Sequence, residues 1–378
     1  MNFFPRWVAA LGLIWTAACT WAAGEPAART RRLLDNNLKC VDLSDLAGEL
    51  PLDVTRSTQI LSRTEPWEHS TWTDGRDDDC VGYPTVVQND RGRKPDRRYY
   101  LYYTHHEPSS GIGCAVARSI EGPYVKLAQA NRARKDSQVL VCPGKPGDPA
   151  HYSSPCVVWN RQERTWFMYF HFYDNQWQTG GGHQRTALAT CPDLAANVWT
   201  PWTNPRGELV PVLPVTRERW MNSQSTYHAI QQLPDARWLA FLRGTGGEYT
   251  ADGQWAQDPC KLGFATSTDG RRWQYPNTNP VIHQDDGGGG GKGDYRPHFV
   301  GFLGQGEYLL CWSEGEKVLY GRTRDFRSVV RDPRGYAKWR IGDGLISPWR
   351  EGDRLYLFAG KQLHVLTLPV TQAKPAER

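Results

Sequence analysis

Histidines, carboxylates and arginines recur in this 378-residue chain at the edges of short aromatic runs. His105 and His106 follow "RYYLYYT", His171 follows "TWFMYF", Arg243 follows "RWLAFL" and Glu314 follows "EYLLCWS". His151 stands just ahead of "YSSPCVVW", Asp294, Arg296 and His298 share "DYRPHFV", and Asp79 is the third acid of "RDDDC". Such a set can move protons, because an unperturbed histidine titrates near neutrality and a carboxylate accepts what it gives up. The arginines suit a carboxylate or sulfate on a ligand. Trp177 lies in a loop, where an indole can stack on a ring. Each residue also has a plainer reading: "RDDDC" as a solvated turn, His171 as a buried structural histidine, Glu314 as the polar start of a hairpin.

The elements that must position these groups form a repeat. Strand-like stretches open at Pro84, Pro155, Tyr227, Pro297 and Pro348, the first four spaced by about seventy residues. Each is followed by a turn, an aromatic strand and a third strand such as "GIGCAVARS" or "RTALATC". Three copies close with outer-strand material, "GPYVKL", "VWTPW" and "RRWQYP". Five such units predict an all-β, five-bladed β-propeller, in which radial repetition protects strand edges. The fifth unit is short, so residues near Thr58 to Arg63 are expected to complete it. In a blade whose inner strand runs antiparallel to the second, the start of the first and the end of the second share one face. That face collects the residues named above. The predicted organisation is a signal peptide over 1–23, an N-terminal extension over 24–56, the propeller over 57–370 and a tail over 371–378.

The leader carries Arg6, an apolar stretch and small residues, which reads as an export signal and a secreted or periplasmic protein. "TAAC" ending at Cys19 is a weak lipid-anchor motif, and no later stretch has the roughly 20 apolar residues of a membrane span. Eight cysteines remain beyond the leader, an even number that in an oxidising compartment predicts some disulfides. The net charge of +5 is spread along the chain and predicts no nucleic-acid partner. Zinc spacings, GxSxG, HExxH and Walker patterns are absent, and "DDGGGGGKGD" lacks the context of a phosphate loop.

The stretches "YYLYYTHHEPSSGIGCAVARSIEGPY" and "HYSSPCVVWNRQERTWFMYFHF" resemble those of the five-bladed propellers of glycoside hydrolase family 43 and its relatives, and more closely family 117. The resemblance covers roughly residues 80 to 330 and implies a saccharide substrate. Family 43 places carboxylates before the opening prolines of blades one and two and a glutamate in blade three. Here the matching positions are Tyr83, Ser154 and the region around Ser225, none of them acidic. Family 117 uses a histidine as general acid, which implies His298 as acid and Asp79, or Asp78, as base; Asp294, four residues before His298, can orient it, and Glu314 is a candidate third acid at the mouth. His105, His106, His151, His171, Arg243, Arg296 and Trp177 are then substrate contacts. Related propellers hold a central calcium, but no metal motif here supports one, and no cofactor is expected. The resemblance also implies a homodimer through residues 29–51. Three functions stay open: a glycosidase acting on an acidic or sulfated glycan, a non-catalytic carbohydrate-binding propeller, and a polysaccharide lyase.

Overall fold

The structure, a computed structural model, describes residues 35–46, 54–69, 81–105, 110–143, 151–173, 184–283, 296–314, 317–337 and 345–369. Residues 1–34 with Cys19, residues 370–378, and Asp78, Asp79, His106, Trp177 and Asp294 lie outside the described residues.

Five antiparallel sheets form the blades. Blade one contains β2 (Val81–Gln88), β3 (Tyr99–His105), β4 (Ile112–Ala117) and β5 (Val125–Lys126), with β6 (Gln138–Leu140) also paired to β4. Blade two runs β7 (Tyr152–Asn160), β8 (Thr165–Tyr173), β9 (Gln184–Cys191), β10 (Thr200–Pro201). Blade three has β11 (Gln224–Gln232), β12 (Trp238–Thr245) and β15 (Lys261–Ser267), and a hairpin of β13 (Gly247–Tyr249) and β14 (Trp255–Gln257) rises between the last two. The outer stretch "RRWQYP" of this blade makes an isolated bridge, Thr266 to Gln274, where a fourth strand was expected. Blade four is β16 (Arg296–Gly304), β17 (Glu307–Glu314), β18 (Lys317–Thr323), β19 (Val330–Ala337). Blade five joins β20 (Ile346–Glu351), β21 (Arg354–Ala359) and β22 (Gln362–Thr367) to β1 (Arg56–Gln59). The closing strand thus begins two residues before the stretch expected to supply it.

The aromatic second strands explain the composition. Blades pack face to face, and flat rings fill the gap between neighbours. Tyr102 meets Trp199 edge-on at 5.5 Å between blades one and two. Phe167 stacks on Trp238 at 5.5 Å between two and three, and Phe264 meets Phe326 at 5.9 Å between three and four. Tyr99 and Trp349, 5.5 Å apart, join blade one to blade five. Such pairs add about 0.5–1.5 kcal/mol each beyond the area they bury. Aliphatic residues, including Leu309, Val318, Leu355 and Leu357, fill the remaining seam.

Residues 35–46 cross the base of the propeller. Asn37 exchanges hydrogen bonds with the Gln88 backbone at 2.9 Å, Asp42 bridges Phe302, and Arg350 forms an ion pair with Asp45 at 2.6 Å. Lys39 extends its ammonium into the central channel, where Ser347 Oγ accepts at 3.0 Å and the Val86 carbonyl accepts a second bond. In blade one, Lys126 is paired with fully buried Glu68, to which Tyr103 donates at 2.8 Å.

The seven described cysteines, Cys40, Cys114, Cys142, Cys156, Cys191, Cys260 and Cys311, are free thiols, which corrects the expected disulfides for these residues. Six are buried, and desolvation pushes the Cys191 thiol up to about 11, so they behave as small core residues. No helix among the described residues is long and apolar enough to cross a membrane.

Candidate functional site

The inner strands of the first three blades share one irregularity. Pairing slips between Gly82 and Thr85, between Ser153 and Cys156, and between Thr226 and His228. At each slip one residue takes a left-handed backbone: Tyr83 at φ 51°, Ser154 at φ 53° and Tyr227 at φ 41°. Non-glycine residues rarely adopt this conformation, and bulges that re-aim side chains gather at rims and sites. The position in blade three that matches Tyr83 and Ser154 is therefore Tyr227, not the neighbourhood of Ser225. The seventy-residue spacing aligned Tyr227 with the prolines Pro84 and Pro155 rather than with the residues before them, because no proline follows Tyr227.

Tyr227 is the hub of the mouth. The Arg243 guanidinium lies 4.0 Å from its ring centroid and that of Arg296 5.0 Å away. Arg296 also reaches the Tyr83 ring at 5.2 Å, and the two tyrosine rings are 6.0 Å apart. His171 meets Tyr227 edge-on at 4.9 Å, and His151 meets His171 at 5.2 Å. Both arginines are only 6% exposed, and His171 is fully buried. Gln224 Oε1 lies 3.5 Å from Arg243 Nη2, and Gln184 Nε2 lies 3.4 Å from His151 Nε2. Guanidinium on aromatic faces is a favourable arrangement that strengthens when water is excluded. The structure thus brings His151, His171, Arg243 and Arg296 into one contact chain with Tyr83 and Tyr227.

His298 stands two residues beyond Arg296 on β16 and is fully buried. The Ile346 backbone N–H donates to its Nδ1 at 2.8 Å, which leaves the ring proton on Nε2. Burial, helped by the Arg296 charge, pulls its pKa down to about 3. The imidazole is neutral at pH 7, an environment that disfavours the acid role its unperturbed pKa suggests. His105 is the last residue of β3, opposite Val81, and Glu314 ends β17 one residue past Ser313, which pairs with Arg296. On the β13–β14 hairpin, Glu248 pairs with Arg219 at 2.9 Å. That hairpin presents Tyr249, 52% exposed, with Trp255 edge-on at 5.2 Å. It is held by two 3.0 Å bonds between Asn222 and the Gly247 backbone. Among the described residues, no three His, Cys, Asp or Glu side chains gather as a metal site.

Below the mouth, a cavity of about 30 Å³ occupies the channel, lined by Pro84, Pro155, Pro297, Pro348, His228 and Lys39. Leu345, packed with Tyr83 and Tyr227, lines its upper end.

No family model matches the chain. A curated relative, the extracellular endo-α-(1→5)-L-arabinanase of Thermotoga petrophila, is 33% identical over 113 residues. The alignment spans 27% of this chain and only 22% of that protein. A solved glycoside hydrolase superposes with a TM-score of 0.53 at 11% identity, over 86% of this chain and 94% of its own. A second solved structure, an RGII complex, gives 0.52 at 11% identity, over 85% of this chain and 92% of its own. At such identities the likeness is one of fold. In fold, the chain is a five-bladed β-propeller, as the repeat read from its sequence implies.

Proposed function

We propose that the chain is an exported glycoside hydrolase that cleaves an oligo- or polysaccharide bearing carboxylate or sulfate groups. The observation that carries this reading is the pair of buried guanidiniums, Arg243 and Arg296, converging on Tyr227 at the mouth of a propeller of this kind. Fixed guanidinium forks recognise planar anions and sulfates, and a low-dielectric surround strengthens the attraction. His151 and His171 supply hydrogen-bonding edges for sugar hydroxyls beside them, and the Tyr249–Trp255 hairpin supplies an apolar face at the rim.

Hydrolysis needs an acid and a base or nucleophile on opposite sides of the bond, roughly 5 to 9.5 Å apart. Asp79 is the proposed base. His298 as acid would need a proton that its buried site disfavours, so Glu314, whose backbone adjoins the Ser313–Arg296 pair, is the better donor. Asp79 takes a proton as water bonds to the anomeric carbon, the glycosidic bond breaks, and Glu314 passes its proton to the departing oxygen. His298, through Nε2–H, then orients or hydrogen-bonds and does not titrate; Asp294 remains its proposed neighbour.

The test is reducing-end release from neutral, uronate-bearing and sulfated glycans. Wild type should cleave a charged glycan, and Asp79→Asn and Glu314→Gln should each lose about 10²–10⁴-fold in kcat. Arg243→Ala should raise KM on the charged substrate and leave a neutral analogue little changed. No release from any glycan would overturn the hydrolase.

A tyrosine flanked by two guanidiniums also fits a lyase, in which a phenolate removes the proton beside a uronate carboxylate and the 4-linked oxygen departs. Product absorbing in the ultraviolet as an unsaturated uronate, lost in Tyr227→Phe, would favour that reading.

A further inference from the structure

We propose a second, non-catalytic binding site on the face opposite the mouth: a groove between the hairpin turns of blades one and two that takes a polyanionic glycan. This rests on the glycan reading of the mouth for the identity of its ligand, though not for its geometry.

The turns are "NDRGRKPDRR" at 89–98 and "NRQER" at 160–164, which together carry seven basic side chains and three acidic ones. The fold thus gathers charge that looks evenly spread along the chain. A groove of about 730 Å³ opens between them, lined by Arg91, Arg93, Arg161, Arg164, Asp90 and Trp159. Both turns follow inner strands whose other ends form the mouth, so an eight-residue strand, about 25 Å, separates the two sites.

The acids are already engaged. Asp90 accepts from Arg91 Nη2 at 2.6 Å, Glu163 is paired with Arg271, and Asp96 accepts from Tyr100 Oη at 2.8 Å. Arg161 is held open. Arg161 donates from Nε to Gln232 Oε1 at 3.1 Å and from Nη2 to the carbonyls of Leu233 and Pro234. All three acceptors are neutral, so the guanidinium is fixed in place while its charge stays available. Arg91, by contrast, is paired with Asp35 at 2.7 Å and with Asp90, so the charge the groove offers comes from Arg93, Arg161 and Arg164. Arg93 and Arg164 are exposed at the turn tips, the latter with a left-handed backbone at φ 52°. Gly92, at φ 96°, lets the first turn fold over Trp159 and Trp166, whose atoms a β-carbon would approach within 4 Å.

Prefixed guanidinium forks lose little entropy on binding and match sulfate and carboxylate oxygens. Trp159 is 7% exposed, so the groove offers no open ring on which bases of a single strand would stack. Charge and donors without an aromatic platform favour a sulfated or uronate-rich polysaccharide over nucleic acid. A long chain held there stays attached while the mouth acts on another stretch of it.

The test is retention of the full chain on immobilised heparin and on polygalacturonate, eluted by salt, for wild type and an Arg93→Glu/Arg164→Glu variant. The variant should bind at least about tenfold more weakly, the loss expected of two charge-assisted contacts, and elute at lower salt. Its melting temperature and its cleavage of short oligosaccharides, which reach the mouth alone, should match wild type. Equal retention of the two proteins would overturn the site. Equally tight, variant-sensitive binding to single-stranded DNA would overturn the glycan assignment. Cleavage of short substrates reports on the mouth separately, so failure of one reading leaves the other standing.

Discussion

His228 and His298 are enclosed histidines whose burial holds their pKa at about 4 and about 3. In the unfolded chain both return to about 6.5. Above that value both states carry neutral rings and nothing changes with pH. Below it the unfolded chain takes up protons first, so stability present at pH 7 is lost as pH falls toward 4 and then 3. For His228 the gap corresponds to about 3 kcal/mol. A His228→Gln variant should show a flatter loss between pH 6.5 and 4 in urea titrations; parallel slopes would refute the buried neutral ring. Arg296 allows a second prediction at the same scale. Lysine keeps its charge but cannot bridge the Tyr83 and Tyr227 faces, so Arg296→Lys should raise KM for a charged glycan about tenfold, given a cation–π contact of about 1–2 kcal/mol. Substrate titration of the variant checks it.

The strands were legible because aromatic and β-branched runs between Gly, Pro and Asp turns can hardly fold otherwise, and their phase gave five blades. The bulges were not, since a slip in pairing depends on the neighbouring strand and leaves no fixed residue pattern. Tyr83 and Ser154 could be aligned by the proline that follows; Tyr227, with no proline after it, was placed one register position off. Likewise, the mouth's histidines and arginines could be placed on one face from strand direction alone, yet the full burial of His298 and its bond from the Ile346 N–H of another blade could not. The bulge itself yields a test. Ser154 carries a left-handed strain of about 1–3 kcal/mol. Ser154→Gly should therefore melt no lower than wild type, while β-branched Ser154→Val should lose about 2 kcal/mol or more, as thermal denaturation would show. A destabilised glycine variant would mean that the Ser154 side chain, and not the backbone, holds the bulge.

At the scale of the molecule, the ring is fastened twice, by β1 in blade five and by residues 35–46 across the base. Of the segment from Arg29 to Pro51 that the resemblance assigned to a homodimer, the described part is engaged in these internal contacts. Lys39 makes the second fastening sensitive to alkali. Burial lowers its ammonium to about 8, against about 10.4 in the unfolded chain, so stability should rise as pH climbs between those values. Lys39→Met removes that slope: the variant should compare best with wild type at pH 7 and worst near pH 10, as paired denaturant titrations would reveal. A constant difference across the range would place the amine outside the channel. The first fastening has a consequence in time. Thr55 bonds Val365, 310 residues further along, so a chain emerging from the ribosome N-terminus first must keep β1 waiting until β22 has been made. A product cut short before β22 leaves β1 without a partner and one side of β21 bare, the kind of edge that recruits another chain or a protease. The circle thereby shuts only once β22 has been made and stays open on a fragment that stops short of it.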